Sequence, residues 1–224
     1  MEFIKICGLK ELEHVEICKK GGADAVGFIY KVNESPRNID EQKLRSILKE
    51  VSDSIKTVLV IRPCSAKEVE YIMNEINTSL YQVHMGHGIT DINRHISELK
   101  NLPIEYRKRI ILALRINREN FNKIKKILIK NKDDFCAFLI DNSEGSGKFM
   151  NYDLISSLIQ YVRNIRIILA GGISINNVEN IIRNIRPYGI DVSSSLELER
   201  GIKDPVKIIN FLKKVNEIKK ELKG

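Results

Sequence analysis

Short apolar runs recur along the chain, and between them lie longer stretches in which apolar and polar positions alternate at helical spacing. The runs span residues 3–7, 25–30, 57–61, 80–84, 110–114, 135–140, 167–170 and 190–193. Each has the length of a strand and is rich in β-branched residues. The intervening stretches read as amphipathic helices. Leu44, Ile47, Leu48 and Val51 fall on one helical face, as do Val69, Ile72, Met73 and Ile76. The same spacing joins Phe121, Ile124, Ile127 and Leu128, and then Leu154, Ile155, Leu158 and Ile159. A first helix is marked by Leu12, Val15 and Ile17, and a late one by Val178, Ile181, Ile182 and Ile185. Strict alternation of strand and helix implies a parallel sheet with helical crossovers. Roughly eight such units in 224 residues, with no linker, predict a closed (β/α)₈ barrel of the α/β class. One domain over residues 1–224 is expected. The first strand is not followed by GxGxxG, which weakens the alternative of an open dinucleotide-binding sheet.

A barrel carries its chemistry at the C-terminal ends of the strands. Strand seven ends in Ala170-Gly171-Gly172, with a helix expected to begin near Ser174. Strand eight ends in Asp191-Val192-Ser193-Ser194-Ser195. Glycines admit a close anion, and backbone N–H groups and serine hydroxyls donate to it, so Gly171, Gly172, Ser193 and Ser194 are the expected phosphate site. Cys7 closes strand one. A cysteine in an apolar strand is usually a packing residue, but a strand end improves its claim as a nucleophile or base. A modestly positive surrounding would supply thiolate. Lys5 shares its face and either provides that surrounding or neutralises another charge. Asp141 follows Phe138-Leu139-Ile140 and precedes Asn142-Ser143-Glu144-Gly145-Ser146-Gly147-Lys148. That glycine-rich stretch misses the P-loop spacing, because Phe149 follows the lysine, and it reads as a mobile loop. Asp141 could merely cap the loop. In a partly desolvated mouth a carboxylic acid can also donate a proton. Pro36 stiffens the segment that presents Arg37, whose guanidinium suits a carboxylate. His84 ends strand four. With His87 it resembles a metal pair, yet no third ligand is evident and no metal is expected.

The chain has a formal net charge of +8, which raises the question of nucleic acid. Its lysines are spread over helical faces, and even the dense tail keeps Phe211, Leu212, Val215, Ile218 and Leu222 at helical spacing. A solvated surface that attracts an anionic substrate is the simpler reading, and no nucleic-acid partner is expected. Four cysteines without CxxC spacing are expected to be free thiols, mostly in the core. No apolar run reaches bilayer length, and residues 1–7 lack a signal-peptide layout, so the expected location is the cytoplasm.

These pieces occur together and in order in one known family. The chain resembles phosphoribosylanthranilate isomerase, a barrel enzyme of tryptophan biosynthesis. The resemblance is carried by Lys5-Ile6-Cys7-Gly8-Leu9, Gly22-Ala23-Asp24-Ala25-Val26-Gly27-Phe28, Ser35-Pro36-Arg37, Gln82-Val83-His84, and Asp141 with Gly145-Ser146-Gly147-Lys148. It continues through Leu169-Ala170-Gly171-Gly172-Ile173, residues 187–194 and Gly201-Ile202-Lys203-Asp204-Pro205. It implies that Cys7 is the general base, Asp141 the general acid, and Arg37 the holder of the anthranilate carboxylate. His84 and Asp191 are then substrate contacts, and Gly171, Gly172, Ser193 and Ser194 surround the phosphate. It further implies an Amadori rearrangement of a phosphorylated aminosugar with no cofactor, in a monomer or homodimer. Ser195 stands where the family usually has glycine, Met85 likewise, and Asn151-Tyr152 replaces an acidic-aromatic pair. Two alternatives remain. One is the histidine-pathway barrel isomerase, where an aspartate would be expected in place of Cys7. The other is a non-catalytic barrel that binds phosphorylated ligands or nucleic acid.

Overall fold

The computed structural model describes residues 1–51, 53–84, 91–141, 152–162 and 164–222. Among the described residues nine strands form the sheet, one of them the two-residue Asn38–Ile39, and the other eight close the barrel. They are β1 (Phe3–Cys7), β2 (Ala25–Tyr30), β3 (Lys56–Ile61), β4 (Leu80–Val83), β5 (Ile110–Arg115), β6 (Ala137–Asp141), β7 (Ile167–Ala170) and β8 (Gly189–Val192). Each pairs in parallel with its neighbour, and β1 pairs with both β2 and β8, so the sheet closes. This is the (β/α)₈ barrel that the alternation predicted. The strands read as continuous apolar runs because both faces are covered. Ile4, Ile6, Val26 and Phe28 face the helices in the main core. Phe3, Ala25, Val58, Ile111, Ala113, Ala137, Leu139, Ile168 and Ala170 form a separate cluster inside the barrel. Burying a large aliphatic side chain contributes roughly 1.5–3 kcal/mol, so the two layers together hold the ring closed.

The helices follow the strands in order. They are α1 (Leu12–Lys20), α2 (Glu41–Glu50), α3 (Ala66–Glu75), α4 (Ile92–Lys100), α5 (Phe121–Lys130), α6 (Tyr152–Tyr161), α7 (Val178–Asn180) and α8 (Pro205–Glu221), with one further helical turn, Ile104–Arg107, ahead of β5. A single π-turn, Ile181–Ile185, continues α7. Local chemistry fixes several starts. The Asp40 side chain accepts from the backbone N–H of Lys43 ahead of α2, and Ser65 accepts from that of Glu68 ahead of α3. At α8 the Asp204 carboxylate accepts from Val206 and Lys207, with Pro205 at the first turn. After β8 comes a 3₁₀ turn, Ser194–Leu196, and then an antiparallel pair of short strands, Glu197–Glu199 and Ile202–Lys203.

Three expectations need correction. The helix expected near Ser174 begins at Val178, because the Asn177 side chain folds the loop back on itself. Its Oδ1 accepts from Ser174 N–H at 2.8 Å, and its amide donates to Gly172 O at 2.8 Å. Leu222 lies just past α8 and is 49% exposed, while Phe211, Leu212, Val215 and Ile218 are buried as expected. The cysteines are not mostly core: Cys7 and Cys18 are buried, Cys136 is half-buried and Cys64 is exposed.

Candidate active site

At the C-terminal ends of the strands the barrel opens into a cavity of about 780 Å³. All nine residues singled out from the sequence line it: Cys7, Arg37, His84, Asp141, Gly171, Gly172, Asp191, Ser193 and Ser194. The fold brings them there because each stands at the end of a barrel strand or in the loop after one. Ala170, small and at the end of β7, lines the cavity with them. His84 follows β4 rather than ending it; its backbone N–H donates to Ile61 O. Met85 and His87, the stretch 142–148, and Asn151 all lie outside the described residues.

Lys5 and Cys7 point into the barrel from β1. Lys5 is wholly buried, and β1 and β8 pair so that it faces Asp191 in register. Its Nζ donates to Asp191 Oδ2 at 2.9 Å. Burial pushes the Lys5 pKa down, but Asp191 and then Cys7 outweigh burial and hold it above its ordinary value. Lys5 therefore neutralises Asp191 and also favours the ionised form of Cys7, so the two roles left open by the sequence are combined in one side chain. Burial pushes the Cys7 thiol up, and the Asp191 carboxylate adds to the rise. Lys5 and Lys203 oppose this and fall short. The surrounding is therefore not positive enough to supply thiolate at rest, and the resting group is a thiol.

Arg37 is held by a partner the sequence did not reveal. Its Nε and Nη2 donate to the two carboxylate oxygens of Glu197 at 2.6 and 2.9 Å. The Ser35 hydroxyl accepts from the Arg37 backbone N–H at 3.2 Å and shapes the turn at Pro36. A guanidinium has five N–H donors, so the edge away from Glu197 keeps donors for a second anion. Buried Lys203 braces the same carboxylate, with Nζ 2.8 Å from Glu197 Oε1. It also donates to Ser193 O at 2.9 Å and Ser193 Oγ at 3.1 Å. Burial resists the Glu197 charge, but hydrogen bonds from Arg37 and Lys203 win and lower its pKa. Burial also lowers the Lys203 pKa. Three acceptors around Nζ nevertheless fit an ammonium and not an amine.

The late loops supply donors of a different kind. Gly171 and Gly172 take φ of 92° and 64°, a left-handed path that suits glycine and bares the backbone. The N–H groups that open the 3₁₀ turn at Ser194 have no partner inside that turn. Serine hydroxyls contribute less than expected. Ser193 Oγ donates its one hydrogen to Cys7 O at 3.0 Å, and Ser195 Oγ donates to Ile173 O at 2.6 Å. At Ser193 the available donor is therefore backbone, and Ser194 keeps the exposed hydroxyl. The glycine-to-serine departure at 195 closes onto the β7 loop instead of filling the cavity.

His84 and Asp141 complete the wall opposite Cys7. Asp141 ends β6, half-buried, in register with Arg115 and Ala170. Burial lowers the His84 pKa to about 4, with Asp141 opposing and Arg62 assisting. The ring is neutral near pH 7, and its Nε2 lies 2.8 Å from the Gln82 amide nitrogen, so it accepts there and carries its hydrogen on Nδ1. A depressed histidine pKa stabilises the fold fully above the unfolded value and loses that stability as pH falls towards 4. Between pH 7 and pH 5 this costs up to about 2 kcal/mol. Thermal melts at both pH values should show a smaller drop for His84→Gln than for the native chain; equal drops would remove His84 as the cause. Among the described residues, no group of three or more His, Cys, Asp or Glu side chains could hold a metal ion. Among the same residues, no helix is long and apolar enough to cross a membrane.

Known proteins match this arrangement over nearly the whole chain. The family model for N-(5'-phosphoribosyl)anthranilate (PRA) isomerase matches residues 4–214. The N-(5'-phosphoribosyl)anthranilate isomerase of Leptospira borgpetersenii is 32% identical over 216 residues, which is 95% of this chain and 94% of that one. Phosphoribosyl anthranilate isomerase from Thermotoga maritima superposes with a TM-score of 0.77 at 26% identity, covering 97% of this chain and 100% of that one. Another phosphoribosyl anthranilate isomerase was solved in complex with reduced 1-(o-carboxyphenylamino)-1-deoxyribulose 5-phosphate. It has a TM-score of 0.74 at 25% identity and covers 97% of this chain and 100% of that one. With the match running from β1 into α8 and a relative above 30% identity, the chain belongs to the N-(5'-phosphoribosyl)anthranilate isomerase family.

Proposed function

We propose that the protein converts N-(5'-phosphoribosyl)anthranilate to 1-(2-carboxyphenylamino)-1-deoxyribulose 5-phosphate, the Amadori step of tryptophan biosynthesis. The observation that carries this reading is one cavity with a thiol on β1, a carboxyl on β6 three strands away, and anion donors at the ends of β7 and β8. Backbone N–H groups near Gly171, Gly172 and Ser193, with the Ser194 hydroxyl, grip the phosphate. The free edge of Arg37 pairs with the anthranilate carboxylate while Glu197 fixes the other edge. Binding at both ends sets the ribose between Cys7 and Asp141, with His84 and Asp191 on the wall.

The proton steps follow. Asp141 gives its proton to the ring oxygen, the C1'–O4' bond breaks, and nitrogen lends its pair to form an iminium. Cys7, as thiolate, takes the proton from C2'. The resulting enolamine gains a proton at C1' and loses one from O2', leaving the ketone. The two protein groups regain their starting states through water. No electrons leave the substrate, so the chemistry calls for no redox cofactor. The resting thiol suits this order, because the cationic iminium arrives beside it and favours its ionised form. Substrate fluorescence falls as the anthranilate derivative is consumed. Purified protein should quench it with saturable kinetics. No consumption of this compound, with turnover of the histidine-pathway aminosugar instead, would overturn the assignment.

A further inference from the structure

We propose that Lys5 is the positioning residue that stabilises the Cys7 thiolate, with Asp191 anchoring the ammonium and dividing its charge. The inference rests on Cys7 acting as the base and names what makes that possible. The geometry begins at Gly27, opposite Cys7 in the β1–β2 register. A Cβ there would sit 2.9 Å from Cys7 Sγ and 3.0 Å from Lys5 Nζ. Thiol and ammonium thus share the space that a missing side chain leaves. Lys5 is close enough for both its charge and its N–H to favour the thiolate. The ion pair to Asp191 at 2.9 Å keeps a fully buried ammonium from leaving that spot.

Other charged groups around Cys7 do not serve in its place. Lys203 favours the thiolate as well, but its three donors are spent on Ser193 O, Ser193 Oγ and Glu197. Arg37 is paired with Glu197. His84 is neutral, and Asp141 belongs to the far wall. Lys5 has one anionic partner, Asp191 Oδ2, and its remaining charge is directed at the sulfur when the thiol ionises. The design has two opposing parts: the ammonium lowers the cost of ionising Cys7, and the Asp191 carboxylate raises it.

That opposition gives a test that a purely structural role would not pass. The rate of Cys7 alkylation by iodoacetamide is measured against pH on the intact folded protein, with the modified peptide identified by mass spectrometry. Lys5→Met should move the midpoint up by about one pH unit or more, about a tenfold slower reaction at pH 8. Asp191→Asn should move it down, because the carboxylate is gone and the ammonium is no longer shared. A merely structural pair would shift both variants the same way or neither, and that result overturns the proposal. Lys5→Met leaves Asp191 buried without its counter-charge and could fail to fold. Asp191→Asn is near-isosteric, and an unchanged or raised midpoint in that variant alone also overturns the proposal. The readout is separate from turnover. If Cys7→Ser keeps full activity while both midpoints move as stated, Cys7 is not the base, yet the control of its ionisation by Lys5 stands.

Discussion

Replacing Cys7 with serine lowers kcat by about 10²- to 10⁴-fold, the range expected when one proton-transfer group is lost. A serine hydroxyl keeps the shape of the thiol but ionises far less readily, so the base is removed while the packing stays. Cys7 is 5% exposed, and its sulfur occupies the space that Gly27 leaves by lacking a side chain, so a slightly smaller oxygen fits there without strain. The melting temperature should change little, and KM should remain near the native value because the phosphate and carboxylate donors are elsewhere. Steady-state kinetics on folded Cys7→Ser check this. Unaltered kcat would remove Cys7 from the mechanism, and a parallel collapse of stability would mark it as a packing residue.

Asp141→Asn should cost a similar factor, about 10²- to 10⁴-fold in kcat. The amide fits the end of β6 and keeps the backbone pairing to Ala170 and Arg115. It cannot hand a proton to the ring oxygen. Acid and base serve one reaction path, so their losses should not multiply. The double variant Cys7→Ser/Asp141→Asn should be much more active than the product of the single effects implies. Fully multiplicative losses would mean that both groups contribute independently to one rate-limiting transition state, which contradicts the successive steps proposed.

Much of this site was legible in the sequence because barrel chemistry sits at strand ends, and the strand ends could be read from β-branched runs. Cys7, Asp141 and Asp191 needed only that rule. The unread parts depend on contacts between distant segments. Glu197 and Lys203 look like surface residues in a charged stretch, yet an antiparallel pairing sets them opposite each other and buries both. The sequence marked residues 201–205 as part of a familiar pattern without indicating that the lysine turns inward to Ser193. The role of Lys5 stayed open for a related reason. Sequence spacing put Lys5 beside Cys7, but only the β1–β8 register showed that Asp191 takes up its charge. The late start of α7 came from one side chain, Asn177, competing with the backbone for hydrogen bonds. The Ser193 hydroxyl was expected to donate to a ligand, but its hydrogen is spent on the Cys7 backbone carbonyl.

A crystal structure of the protein with reduced 1-(o-carboxyphenylamino)-1-deoxyribulose 5-phosphate would test the central claim most directly. The account predicts Cys7 Sγ about 3–3.5 Å from the sugar C2' and the Asp141 carboxyl on the opposite face of the chain. It also predicts the phosphate against Gly172 and Ser194 and the carboxylate on the free edge of Arg37. A ligand seated with both groups on one face, or with its phosphate away from the β7 and β8 loops, would contradict it.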